Sequence, residues 1–426
     1  MNTTNLKCLF CGEEYELMDI YSCKKCGGIL DVKYDYQKIF TGKIDKNLPK
    51  PGLNIWRYKK FLPIREEKNI ITLFEGGTPL IAANKLSKLI GIKRLYLKDE
   101  TRNPTCSFKD RSISVGVSKA LEFRSGTVVI ASSGNGAASL AAYASKAGLK
   151  NYIFIPEKTP IGKISQATIM DSNIIKVKGN YSNSYKLAKE VSEYFSWNNI
   201  TTTFLNPYSF EGNKTISYEL YHQLKRKVPD WIFVPTGAGP LAYEIYKGYY
   251  ELFRMNLINK IPRLAVIQAK GCSPIVRAYK TGKSHVSRWK EPSTIASAIA
   301  DPLEGYEKDG ELVLRVIKNT GGYATTVSDK NIAKGVRILA GSEGIYVEPS
   351  AAISVMGLKE LITSNIVKEH EIAVCILTGH GLKDHQKLNK DKGIPVVKPE
   401  LKDFVGLVGR KKINKFSKKK GREFNA

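Results

Sequence analysis

The sequence predicts an α/β protein with two parallel-sheet domains behind a small cysteine-rich module. Three observations carry this. From about residue 95 to residue 377, short apolar runs of strand length alternate with helix-length stretches, as they do where parallel strands are covered by helices. The chain has 426 residues, more than one hydrophobic core usually organises, so two domains and an appendage are expected. Two paired-cysteine turns between Cys8 and Cys26 mark the appendage.

In chain order, Cys8-Leu9-Phe10-Cys11 and Cys23-Lys24-Lys25-Cys26 form two knuckles, each followed by glycine. Four sulfurs at this spacing satisfy tetrahedral zinc with no open position. Residues 1–35 are therefore read as a structural zinc ribbon with Cys8, Cys11, Cys23 and Cys26 as ligands. Two disulfides, out of keeping with a cytoplasmic protein, or plain thiols are the alternatives. Cys106, Cys272 and Cys375 have no sequence partner and read as small buried apolar residues. Residues 36–74, with Pro49, Pro51 and Pro63, read as a connecting arm.

The run 95–100 is a strand ending in acidic residues, and it delivers the chain to Pro104-Thr105-Cys106-Ser107-Phe108-Lys109-Asp110-Arg111. Residues 128–131 are the next strand, 137–147 an alanine-rich helix and 152–156 a further strand; the runs 174–177, 202–205, 231–234, 264–267 and 372–377 continue the pattern. The expected division is a large α/β domain from 75–124 and 206–400, a small α/β domain from 125–205 and a basic tail over 401–426.

Composition narrows the function classes. No apolar run approaches membrane-spanning length and no apolar leader precedes Cys8, so a cytoplasmic location without membrane contact is expected. The net charge of +27 suits nucleic acid. Its lysines are strewn along the chain, however, which reads as a generally basic surface. The exception is the tail from Arg410 to Arg422, which suits either RNA or plain solvation.

Chemistry concentrates where loops open into helices. Ser107 stands where an N-cap belongs, which puts Lys109 in the first helical turn, where orphan N–H groups and the dipole disfavour an ammonium. Such a lysine deprotonates easily, and a neutral amine is what a Schiff base needs. Ala131-Ser132-Ser133-Gly134-Asn135-Gly136 is a second turn opening into a helix. Thr236-Gly237-Ala238-Gly239 follows a strand and exposes backbone N–H groups suited to a phosphate monoester, although Pro240 removes one donor, so the Thr236 hydroxyl is a candidate to join the grip.

These stretches, with Glu75-Gly76-Gly77-Thr78-Pro79-Leu80 before them and Leu377-Thr378-Gly379-His380-Gly381-Leu382-Lys383-Asp384 after, occur in an order that resembles the threonine synthase family. These are pyridoxal-phosphate enzymes of the tryptophan-synthase-β fold, fold type II. The resemblance implies pyridoxal 5'-phosphate held covalently by Lys109, which then serves as general base, and its phosphate in the loop Thr236, Gly237, Ala238 and Gly239. It implies Asn135 at the ring hydroxyl oxygen and Thr378 at the pyridine nitrogen. Ser132, Ser133 and Gly134 would hold the substrate α-carboxylate. His380 shapes its loop, while Asp110 and Arg111 brace the lysine helix. The implied reaction is a lyase-type elimination and replacement in amino-acid biosynthesis: O-phosphohomoserine and water to threonine and phosphate. A homodimer acting on a small amino acid is expected.

Three positions depart from the family's substrate-phosphate residues: Gly136, Phe204 and Ser209, the last standing where an arginine is usual. Lys163, Lys176 and Lys214 are candidates to compensate. The departures keep open a serine/threonine dehydratase or a β-replacement enzyme such as cysteate synthase. A zinc-ribbon RNA-binding protein with a degenerate enzyme core is the reading from another class.

Overall fold

The structure, a computed structural model, describes residues 3–39, 54–132, 134–159, 161–384, 395–396 and 398–407. Residues 1–385 form one compact unit and contain everything discussed below. In the second unit a helical stretch spans 401–407; the basic run Arg410 to Arg422 and the arm's Pro49 and Pro51 lie outside the described residues.

Strands Thr3–Cys8 (β1), Glu14–Tyr15 (β2) and Leu30–Tyr34 (β3) make an antiparallel ribbon in the order β2-β1-β3. Leu80–Ala82 (β4) and Arg94–Asp99 (β5) follow. The chain then builds a separate parallel sheet from Thr127–Ala131 (β6), Lys150–Pro156 (β7), Asn173–Val177 (β8) and Asn198–Asn199 (β9), in the order β8-β7-β6-β9. It returns with Trp231–Pro235 (β10), Arg263–Ala269 (β11), Tyr323–Val327 (β12) and Ile372–Leu377 (β13) to complete a six-stranded sheet, β12-β11-β10-β13-β5-β4. Strands β6 and β10 are buried at every residue, as parallel strands covered by helices on both faces are.

Three local expectations give way. Residues 202–205 are turns, not a strand; the strand that pairs with β6 is the two-residue β9 just before them. Their β-branched and aromatic side chains have a different use: the Thr201 hydroxyl accepts from the Ala131 amide and the Thr202 hydroxyl accepts from Lys109. The large sheet is mixed, since β4 runs antiparallel to β5 at its edge. Ser107 is not a cap, because the helix Lys109–Glu122 starts from Phe108 without a side-chain cap bond. Residues 106–108 instead lie against the end of β13: the Phe108 amide donates to Thr378 O and the His380 amide to Cys106 O, both at 3.0 Å.

The lysine helix is buried along almost its whole length and is held by charge as well as by packing. Arg111 ion-pairs with Glu100 (2.7 Å) and Glu219 (2.6 Å), and Glu219 also accepts from Lys98 at 2.5 Å, all at 0–1 % exposure. Among the described residues Asp110 forms no salt bridge; it accepts from Thr105 and Ser139. Alongside runs the turn Ser209–Lys214, so close that a Cβ on Gly212 would lie 2.0 Å from Arg111 O. Within residues 54–74, Ile55–Phe61 forms a 3-10 helix whose Trp56 donates to Glu75 and Ser114.

The cysteine ribbon is built into this core. Leu6, Leu30, Val32 and Tyr34 pack with Tyr218, Tyr243 and Ile245 in one apolar cluster. Lys247 pairs with Asp31 of β3 at 2.7 Å and with Glu211. From the ribbon's loop, Met18 O accepts from the Tyr208 hydroxyl, Asp19 from Asn198, and the Tyr21 hydroxyl from the Asn199 amide. The segment 198–208 is thus pinned from outside on either side of Thr202.

Candidate active site

Strand ends and helix starts converge on one cleft, as open α/β sheets favour. Lys109 opens the lysine helix and Thr378 closes β13; both line the cleft. Ser132, Gly134 and Asn135 line it from the end of β6 and the start of the helix Asn135–Ala147, and the loop Thr236, Gly237, Ala238 and Gly239 lines it from the end of β10. Ser133 lies outside the described residues.

The Lys109 amine is half-buried in the cleft, and desolvation holds its pKa down at about 8, against the opposing charges of Asp301 and Glu348. Its hydrogen-bond acceptors are the Thr202 hydroxyl (2.7 Å) and carbonyl (3.4 Å); no carboxylate pairs with it among the described residues. Phe108 lies under it, with the ring centroid 4.9 Å away. An unpaired, desolvated amine of this kind is a nucleophile at neutral pH.

Two helix N-termini face this amine. One follows the Thr236–Gly239 loop, where the amides of Gly237, Ala238 and Gly239 donate to no carbonyl among the described residues. Gly239 has φ +110°, and a Cβ there would lie 2.1 Å from Val313 Cγ2, so only glycine closes this turn. Free amides at the start of the helix Pro240–Arg254 form a phosphate cradle, and the residues present fit the phosphate end of pyridoxal phosphate. The Thr236 hydroxyl is engaged otherwise, donating to Val234 O at 2.9 Å. The other N-terminus, at Gly134 and Asn135, suits a carboxylate.

Two carboxylates in the cleft, Glu348 and Asp301, belong to no motif read from the sequence. Glu348 takes both hydrogen bonds of the Asn135 amide group at 3.0 Å, across 213 positions of sequence. Asp301 accepts from the Tyr306 hydroxyl (2.7 Å) and the Leu303 amide (3.0 Å). Burial raises the pKa of both carboxyls. Lys163, on the helix Ile161–Ile169, pairs with Asp384 at 3.1 Å, and Lys383 donates to Thr105 O and Gln166. The three departing positions behave differently. Gly136 lines the cleft. Phe204 packs against Phe210 and Tyr243, and Ser209 donates to Asn206 O; both are buried away from the cleft. Lys214 is locked between Glu211 (2.7 Å) and Glu251 (2.9 Å), and Lys176 is exposed on β8.

The four sulfurs of Cys8, Cys11, Cys23 and Cys26 lie within 4.8 Å of one another. Cys8 to Cys26 is 3.5 Å and Cys11 to Cys23 3.6 Å, near the edge of a zinc–thiolate tetrahedron, about 3.8 Å for Zn–S bonds of about 2.3 Å. A Cβ on Gly28 would come within 2.9 Å of Cys8 Sγ and 3.0 Å of Cys26 Sγ, so glycine keeps the cradle open. The residues present fit a structural metal.

Comparison with known proteins gives three findings. Residues 71–379 match the family described as pyridoxal-phosphate dependent enzyme. Curated relatives include threonine synthases of Methanocaldococcus jannaschii, 40% identical over 89% of this chain and 92% of the relative, and of Methanosarcina acetivorans, 41% identical over 90% and 93%. Among solved structures, threonine deaminase isoform 2 of Solanum lycopersicum has a TM-score of 0.61 at 21% identity, over 74% of this chain and 80% of that one. Diaminopropionate ammonia lyase of Escherichia coli has a TM-score of 0.61 at 17% identity, over 76% and 92%. At those identities the structures speak for the fold.

Proposed function

Because the chain belongs to the pyridoxal-phosphate-dependent enzymes and, within them, to the threonine synthase family, we propose that it converts O-phospho-L-homoserine and water to L-threonine and phosphate. The observation that carries the chemical part is the half-buried, desolvated Lys109 amine, unpaired by any carboxylate among the described residues and faced by two helix N-termini. Pyridoxal phosphate, when bound, supplies an electron sink for charge developing at the substrate Cα.

The rest falls to this chain. The amides of Gly237, Ala238 and Gly239 would hold the cofactor's phosphate, and Thr378, which lines the same cleft, would meet its ring nitrogen. A neutral hydroxyl there cannot enforce ring protonation as a carboxylate would, which favours elimination and replacement over transamination. Ser132 and the amides at Gly134 and Asn135 hold the α-carboxylate, turning the Cα–H bond toward Lys109. Lys109 would hold the cofactor through its amine and would serve as general base for the Cα proton; a pKa near 8 keeps enough free amine at neutral pH for both roles. Cys8, Cys11, Cys23 and Cys26 hold a structural zinc ion that stiffens the ribbon.

The test is product analysis on O-phospho-L-homoserine. Equimolar phosphate and threonine are expected. Release of 2-oxobutyrate from threonine or pyruvate from serine, without phosphate release from O-phosphohomoserine, makes the protein a dehydratase instead.

A further inference from the structure

Inside the cleft the sites for a cofactor and an α-carboxylate are accounted for, but a phosphorylated side chain brings a second anion. Of the segment that sequence comparison offers for it, Thr203 and Asn213 line the cleft, but the two departing positions do not: Phe204 and Ser209 are buried, at 2 % and 1 % exposure, and make their contacts elsewhere. Of the lysines that might replace the missing arginine, Lys214 is committed to two carboxylates and Lys176 is outside the cleft. Among the described residues lining the cleft, the lysines are Lys109, Lys163 and Lys383, and there is no arginine.

Lys163 and Lys383 form one cluster. Lys163 and Gln166 are neighbours three positions apart on the helix Ile161–Ile169, and Lys383 and Asp384 are consecutive after β13. The Lys163 ammonium meets Asp384 Oδ2 at 3.1 Å and donates to the Ser297 hydroxyl, which in turn donates to Asp384 Oδ2 at 2.7 Å. The Lys383 ammonium donates to Gln166 Oε1 at 2.8 Å and to Thr105 O at 2.6 Å. Asp384 thus occupies, from within the chain, a position where an outside anion would meet a cation and a hydroxyl donor. A carboxylate carries one negative charge; a phosphate monoester at neutral pH carries nearly two and offers three acceptor oxygens, so it competes well for such donors.

The geometry points to Lys163 and Lys383, with Ser297, as the subsite for the substrate's side-chain phosphate, and to Asp384 as the internal anion that the phosphate displaces. The inference rests on the threonine synthase reading. It explains how a chain without the family's arginine keeps a phosphorylated substrate. It also makes Asp384 a filter: amino acids without a distal dianion leave the Lys163–Asp384 pair in place.

The experiment uses the cofactor-loaded protein and variants Lys163→Gln, Lys163→Arg, Lys383→Gln and Asp384→Asn. Two quantities are read: KM and kcat for O-phospho-L-homoserine, and the inhibition constant of inorganic phosphate. An unchanged visible absorption band shows that each variant holds its cofactor. Lys163→Gln and Lys383→Gln are expected to raise both KM and the phosphate constant by about tenfold or more, the scale of a lost charge-assisted contact, with kcat less affected. Lys163→Arg retains most of the affinity. Asp384→Asn is expected to act in the opposite direction, tightening phosphate by roughly threefold or more because the competing charge is gone. Phosphate binding within twofold of wild type in Lys163→Gln overturns the inference, and so does Asp384→Asn weakening phosphate as Lys163→Gln does, which is what a purely structural clasp gives. Turnover that persists with those results leaves the reaction assignment standing. A wild type that releases no phosphate removes that assignment and this inference with it.

Discussion

The pH dependence of cofactor capture by the stripped protein is the most direct probe of Lys109. An ordinary lysine has a pKa near 10.4, so at pH 7 roughly 0.04% of it is neutral; at a pKa of about 8 the neutral share is roughly 10%, a gain of some 250-fold. The second-order rate of pyridoxal phosphate capture, followed by the growth of its visible band, is therefore expected to rise close to tenfold per pH unit up to about pH 8 and then level. A small amine of known pKa run in parallel cancels the cofactor's own titration. Since Asp301 holds the ammonium form in place, Asp301→Asn moves the inflexion to lower pH. Burial of the ammonium has a thermodynamic face with a definite sign. The folded pKa lies below the unfolded one, so the stripped protein carries the penalty in full below about pH 8 and sheds it as pH rises toward 10.5. A fall from the ordinary 10.5 to about 8 corresponds to about 3 kcal/mol, so Lys109→Met raises the stripped protein's melting temperature at pH 7. A profile that inflects near pH 10, or a Lys109→Met protein less stable than wild type, refutes the reasoning.

Gly239→Ala puts a methyl group 2.1 Å from Val313 Cγ2 at φ +110°; cofactor affinity, measured by spectral titration, is expected to fall on the order of a hundredfold. Arg111→Met leaves Glu100 buried without its cation and Glu219 with Lys98 alone, a loss of about 3–5 kcal/mol in urea unfolding. In wild type Arg111 and Lys98 hold Glu219 down at about 2 against its burial, so this contribution is complete above the usual carboxylate range and disappears as pH falls toward 2. The variant gains stability between pH 7 and 5 instead. One zinc per chain is expected by native mass spectrometry; Cys23→Ser abolishes it and lowers the melting temperature by several degrees, consistent with about 2 kcal/mol or more. Glu244, buried and without a hydrogen-bond partner among the described residues, has its pKa raised well above the ordinary carboxyl value by burial. Its contribution is present below the unfolded carboxylate pKa and lost as pH rises, and Glu244→Gln flattens that part of the pH–stability curve.

The parts of the site that the sequence displays are those whose chemistry is local. A glycine loop after β10, a serine-glycine-asparagine turn after β6 and a lysine at the head of a helix each carry their reason in a few consecutive residues. Glu348 does not, because its partner Asn135 lies 213 positions away, on the helix that follows β6, and Tyr346-Val347-Glu348-Pro349 reads simply as the start of a helix. Lys163 was one of three lysines offered in place of the missing arginine, and only the fold shows that its helix brings it, unlike Lys176 or Lys214, to the cleft. The run 202–205 misled because β-branched residues also serve where their hydroxyls are needed, and the Thr202 hydroxyl is spent on Lys109. Strand β12 passed unread since its Tyr-Ala-Thr-Thr-Val run is short and half polar.

The bonds from Met18, Asp19 and Tyr21 to the segment on either side of Thr202 limit how this protein can be trimmed. A fragment beginning at residue 36 would retain every residue lining the cleft and still lose its footing. The Tyr208 hydroxyl, the Asn198 side chain and the Asn199 amide would each forfeit a partner, at about 1 kcal/mol apiece, and Lys247 would be left with Glu211 but without Asp31. The amine's own acceptor sits in the middle of that loosened stretch. A smaller, engineered catalyst must therefore carry its cysteine hairpin along as scaffolding, or replace those three anchors with others.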